Sequence, residues 1–225
     1  MRKRAAVWAI FGIAMTFAAP ALADPIPITG GTVTIGYGRG SFRTHIFSLE
    51  GDGLAVSGFQ PDGPAQSGFF PACHELSPCA PGATTSPTGS IGVLAIGEAQ
   101  IDGTDYPLIQ YFGGPANRFT FSAGEVVIPG GMSDFFSLAT PFTFNGLLSL
   151  FALNASEQWE HVRDLSLTGQ GTATVNFRSF GQGFMIQSVR YDFAPTPEPA
   201  TLLLLGTGAA VVLRRARSRA KQTSV

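Results

Sequence analysis

Between Lys3 and Lys221 the 225-residue chain contains no lysine, and only six arginines lie between Arg4 and Arg214. Nucleic acids and anionic membrane surfaces are held by clustered cations, so a stretch this poor in them suits neither partner. Cysteine is scarce as well: Cys73 and Cys79 are the only two. That is too few for a disulfide framework or a four-thiolate zinc site. Tryptophan is confined to Trp8 and Trp159. The apolar stretches near the two ends, residues 5–19 and 200–213, both fall short of the ~20 residues a membrane-spanning helix needs. No Gly-x-Ser-x-Gly nucleophile elbow occurs. His161 and Asp164 share a segment, but no motif ties a serine or cysteine to them or to His45 and His74. No catalytic residue, metal site or cofactor is therefore assigned.

What is present begins at the ends. Arg2, Lys3 and Arg4 precede the uncharged run 5–19, and Ala21-Leu22-Ala23 puts small residues where a signal peptidase reads them. This is the layout of a secretory signal peptide, a helix within residues 1–23, cleaved between Ala23 and Asp24. At the other end Pro197-Glu198-Pro199 leads into residues 200–213, fourteen positions without charge. As a helix they would span roughly 21 Å against a hydrocarbon core of ~30 Å. Gly206 and Gly208 weaken that helix further. Arg214, Arg215, Arg217, Arg219 and Lys221 follow at once and would stay on the cytoplasmic side as a basic stop. The segment suits transient membrane contact better than permanent anchoring.

Pro197-Glu198-Pro199, the leucine-rich segment with its two glycines and the Arg214-Arg215 pair together resemble a PEP-CTERM sorting signal. Signals of this family occur on exported proteins of Gram-negative bacteria that make exopolysaccharide. The resemblance covers residues 195–225 and implies recognition by an exosortase, a membrane-embedded cysteine-type transpeptidase or protease that removes the tail near Pro-Glu-Pro. Signal peptidase and exosortase are thus the expected processing partners. The expected destination is the cell surface or extracellular matrix, beyond the inner membrane. No activity follows from the resemblance.

Setting both ends aside changes the electrostatics. Residues 24–199 keep six of the fourteen Lys and Arg and all fifteen Asp and Glu, a formal charge of −9 with neutral histidines. A chain of that length buries about 70% of its unfolded surface, enough for a core without covalent staples. Seventeen of the nineteen phenylalanines lie within it. Its apolar residues alternate with period two: Ala173, Val175 and Phe177 oppose Thr172, Thr174, Asn176 and Arg178, and Met185, Gln187, Val189, Tyr191 and Phe193 oppose Ser188, Arg190 and Asp192. Further strands are expected over residues 32–38, 42–50, 53–59, 89–101, 105–112, 118–121 and 142–153, with residues 165–167 pairing back on 172–177 through a Thr168-Gly169-Gln170-Gly171 hairpin. Residues 155–165 come nearest to a helix, and residues 60–90 read as a long surface loop rich in Pro, Gly, Ser and Thr. The pattern predicts an all-β body, residues 24–194, as an antiparallel β-sandwich or jelly-roll-like domain. It is flanked by the signal-peptide helix and the short hydrophobic sorting helix of 195–225. The body also resembles a recurring strand-rich type of PEP-CTERM protein with a Cys-Pro-Cys-type loop and a closing Gly-Thr-Ala-Thr hairpin, for which no activity is implied.

Cys73-His74-Glu75 and Cys79 admit two readings. Thiolate, imidazole and carboxylate could hold zinc, but the spacing fits no standard zinc pattern. Export and an even cysteine count favour a disulfide, which for so small a ring stabilises by roughly 2–2.5 kcal/mol. Glu50-Gly51-Asp52-Gly53 and Asp102-Gly103-Thr104-Asp105 could offer oxygens to calcium, but neither matches the twelve-residue calcium loop and Asp-Gly fits a β-turn better. The leading functional expectation is a non-catalytic surface or matrix protein associated with exopolysaccharide. A carbohydrate-binding module would instead display Trp159, Tyr37, Tyr106 or Tyr111 beside a groove, and a polysaccharide hydrolase would need two converging carboxylates. Replacing Pro197, Glu198 and Pro199 together by alanine should leave the tail attached, so that the exported protein runs larger and stays at the membrane. Unchanged size and location on fractionation would show that the tripeptide is not read.

Overall fold

The computed structural model describes residues 24–38, 41–59, 72–92, 95–112, 118–130 and 134–195. The expected terminal helices, the signal cleavage site before Asp24, the Pro197–Pro199 motif and the basic stop lie outside the described residues. The described chain is all-β, in twelve strands: β1 (Ile26–Gly38), β2 (Ser41–Gly51), β3 (Leu54–Phe59), β4 (Thr84–Thr85), β5 (Gly89–Gly92), β6 (Ala95–Ile101), β7 (Thr104–Phe112), β8 (Arg118–Ala123), β9 (Val126–Val127), β10 (Phe135–Leu153), β11 (Trp159–Phe180) and β12 (Gly183–Ala194).

Ten strands form one large sheet, in the order β11-β12-β1-β2-β3-β6-β7-β10-β8-β5, and β4 pairs with β9 apart from it. Because β10 also pairs with β11, the ladder closes on itself. β10 divides its other edge, giving residues 142–146 to β8 and residues 149–152 to β7. All pairings are antiparallel except a short parallel one between Ile26–Ile28 and Leu167–Gly169. Strands of Phe, Val, Ile and Thr favour this pleated geometry because their branched or planar side chains pack on neighbours across the strand.

The two faces of the folded sheet meet through rings. Phe121 of β8 stacks on Tyr191 of β12 with centroids 3.8 Å apart. From there a continuous path of edge-on contacts runs through Phe142, Phe193, Phe144, Phe119 and Phe47 to Tyr111 of β7. Each such pair adds about 0.5–1.5 kcal/mol beyond its burial. Both buried phenols are satisfied: Tyr191 donates to the carbonyl of Pro87 and Tyr111 to that of Glu98, each at 2.5 Å.

Three expectations need correction. Residues 168–171 make no hairpin, because β11 runs unbroken through them. Their glycines mark close approach: a Cβ on Gly171 would lie 1.9 Å from the carbonyl oxygen of Asp192, and one on Gly169 would lie 2.9 Å from the ring of Phe193. The turn falls earlier. The carboxamide oxygen of Asn154 accepts from the backbone of Ser156 and Gln158, which turns the chain there and starts β11 at Trp159. Gln187 is exposed, because a β-bulge between the pairs Asn176–Ser188 and Phe177–Ile186 inserts it as an extra residue. Lastly, the expected strand 89–101 is two strands with different partners, β5 on β8 and β6 on β3 and β7.

Described residues 72–88 are also better anchored than a surface loop. Cys73 is bonded to Cys79 with Cα atoms 4.8 Å apart, and Cys73 is fully buried. Where β1 leaves the edge of β12, this loop takes its place: Cys79 exchanges two backbone bonds with Phe184, and Cys73 accepts one from Ile186. β11 also keeps an open edge. From Trp159 to Ser166, β11 pairs with β10 on one side and, among the described residues, with no strand on the other. Given the close approach at Gly171, Gly171→Ala should destabilise the protein by about 1–3 kcal/mol in urea unfolding. Gly130→Ala, with open space at its Cβ, should stay within ~0.5 kcal/mol. Equal effects of the two would contradict the packing.

Candidate functional site

The outer face of the β10-β11-β12-β1 quartet carries a groove of about 590 Å³ beside the disulfide loop, lined among others by Gly36, Phe135, Ser137, Asn176, Gln187 and Ser188. Register builds its floor. Ser137 faces Asn176 and Asn176 faces Ser188, so three polar side chains align across three strands. Ser137 Oγ donates to Asn176 Oδ1 at 2.7 Å, and Asn176 Nδ2 donates to Ser188 Oγ at 2.9 Å. Gly36 pairs with Ser188 and adds no side chain there. Phe135 stands two residues from Ser137 on the same strand face and is 65% exposed. Gln187 joins them on the exposed face through the bulge. The described residues lining this groove carry no charged side chain.

Tyr37 borders it, and burial together with a hydrogen bond to Glu75 of the disulfide loop pushes its phenol up to about 12. Arg178 pulls weakly the other way, so the charges acting on Tyr37 include one of each sign. The Nε of Arg178 is buried without a hydrogen-bond partner among the described residues.

A second groove, about 420 Å³, lies on the outer face of β2, β3, β6 and β7. Glu50, Glu98 and Asp105 line it with Ser57 and Tyr106, and Asp105 accepts a bond from Gln100 Nε2 at 2.8 Å. Toward the other end of the same strands the cross-strand row Ile46–Phe59–Ile96 exposes apolar side chains.

The structure does bring a serine to His161 and Asp164, a juxtaposition no sequence motif signals. Ser149 on β10 faces Asp164 on β11 and donates to its Oδ1, while His161 Nε2 meets the same oxygen at 2.9 Å. The Ser149 hydroxyl and then His161 hold the Asp164 carboxyl below its usual range. Here the carboxylate sits between serine and histidine. A nucleophilic triad requires the imidazole to contact the hydroxyl, so this arrangement is a polar clasp and not an activated serine. The Asp52-Gly53 and Asp102-Gly103 pairs form turns, and Arg163 Nη1 reaches Asp102 Oδ2 at 2.7 Å. Among the described residues no group of three His, Cys, Asp or Glu is placed to hold a metal ion.

Of the rings a carbohydrate-binding module would display, Tyr37 lines the uncharged groove and Tyr106 the acidic one, Tyr111 is wholly buried in the core, and Trp159 starts β11. Phe135, which sequence reasoning did not single out, is an exposed ring in the uncharged groove, as Phe59 is in the apolar row.

Among known families, the PEP-CTERM protein-sorting motif matches residues 195–218. The chain thus carries the sorting signal that its tripeptide, apolar segment and arginines resemble, and this signal marks an exported protein processed by exosortase and sorted to the surface. No curated protein and no solved structure matches the chain.

Burial raises the phenols of Tyr111 and Tyr191 as well as Tyr37. Below the ordinary value of 10.0 all three are neutral whether the chain is folded or not, and the stability tied to them is fully present. Above it the unfolded chain releases protons that the folded one retains, so stability falls as pH rises from 10.0 toward about 12. The melting temperature should therefore drop across that window, and Tyr37→Phe should lessen the drop. Ultraviolet titration in which all four tyrosines ionise together near pH 10 would contradict it.

Proposed function

We propose that the body is a non-catalytic surface or extracellular-matrix protein that associates with the exopolysaccharide of a Gram-negative producer. The observation carrying this reading is the groove of amides, hydroxyls and an exposed ring on an otherwise acidic body. Sugars offer many hydroxyls and an apolar C–H face, which such a lining complements. The sorting motif agrees with it, since it directs the chain to the surface. A dedicated carbohydrate-binding module is the nearest variant, with Phe135 in the role expected of Trp159 or the tyrosines.

One observation favours a hydrolase as the second reading: Glu50, Glu98 and Asp105 line the same groove, and paired carboxylates are the machinery of glycoside cleavage. Both readings are tested by mixing the exported protein, recovered from the producing cell, with that cell's own exopolysaccharide. Retention without shorter chains is the expected result. Shortening that Glu98→Gln abolishes would put the hydrolase in its place, and neither retention nor shortening would sink both.

A further inference from the structure

We propose that the groove floored by Ser137, Asn176 and Ser188 takes a neutral, hydroxyl-rich glycan laid across β10, β11 and β12, with a sugar face against Phe135. This rests on the preceding reading that the body associates with polysaccharide, and it names the place and the charge class of the ligand. The charge class follows from contrast. Residues 24–199 carry −9, yet the described lining of this groove is uncharged. An anionic chain would meet the repulsive field of the body, and the one described cation opposite Phe135, Arg178, is countered by Glu75 where both act on Tyr37 of the lining. A cationic chain would find better company in the groove of Glu50, Glu98 and Asp105.

The hydrogen-bond chain fixes what the floor offers. Ser137 spends its proton on Asn176, so its oxygen faces a ligand as an acceptor. Ser188 receives the amide proton, so its own hydroxyl proton is available to donate. Asn176 keeps a second amide proton. The chain is thus polarised in one direction, acceptor at the β10 end and donor at the β12 end. Sugar hydroxyls serve as both partners and match it, whereas a carboxylate could only accept. Two strand spacings separate the ends, about 10 Å, room for more than one sugar ring. Gln187 extends the donor end because the bulge turns it outward; bulges commonly re-aim a side chain in this way.

The test is affinity electrophoresis of the exported protein through gels containing a neutral glucan, galactan or mannan, polygalacturonate, or the producer's own exopolysaccharide. Retardation by a neutral polymer and not by polygalacturonate is expected. Phe135→Ala and Asn176→Ala should each weaken it about tenfold, the loss of one ring contact or one hydrogen-bonding group. Phe135→Trp should retain it, and Glu98→Gln in the acidic groove should not change it. Since Phe135 is largely exposed, its variants test the groove even if Asn176→Ala disturbs folding. Retardation indifferent to Phe135→Ala, sensitive to Glu98→Gln, or stronger on polygalacturonate would overturn the proposal. If the producer's polymer retards the protein equally with and without Phe135, the groove is wrong and the association stands. If that polymer gives no retardation, the association itself fails.

Discussion

The pairing of β10 with β11 is the constraint on which the other elements depend. It runs from Phe135 opposite Arg178 to Leu153 opposite Trp159. On the outer edge of β10 the register admits β7 and β8 end to end, and on the outer edge of β11 it admits β12 and, briefly, β1. The ladder closes only because these two strands are long enough to serve both layers. Closure then brings β8 over β12, which is what allows Phe121 to lie on Tyr191. Burial and ring packing supply most of the stabilisation, but the partners meet only within this register.

The same register makes the groove. Ser137, Asn176 and Ser188 are ordinary solvent-face residues on three strands that are distant in sequence, and they become a connected floor because each lies opposite the next. The disulfide loop holds the neighbouring edge of β12, where β1 has already turned away, and its Glu75 reaches Tyr37. The site therefore sits on strands and not on a loop, with a covalent brace close by. β12 ends at Ala194, one residue before the matched sorting segment begins, so the ladder reaches completion ahead of the tail.

Much of this was legible in the chain. Period-two alternation located the buried faces of β8, β10 and the second half of β11, because those strands are each dry on one side. It failed at Gln187, since a bulge shifts the phase without changing composition. It failed again at Thr168-Gly169-Gln170-Gly171, where glycine serves close packing and looks, in sequence, like a turn. Tyr111, one of the rings a sugar-binding groove would have displayed, is buried, and a backbone carbonyl within the core accepts its proton. The sorting motif was readable because its information is linear. The groove was not, because hydroxyls and amides alternating with apolar residues signal only a wet face until cross-strand register aligns them. For the same reason the clasp of Ser149 with Asp164 had no signature.

The unpaired edge of β11 has a consequence for a protein sorted to the surface. An open strand is a template, and crowding raises the chance that a neighbouring copy adds to it. Along this edge the chain places Glu160, His161, Arg163 and Asp164. Adding a strand there would strip water from that mixed set of charges, and identical copies stacked in register would set like against like. The charges along this edge thus disfavour the addition of a second copy where β11 is left unpaired.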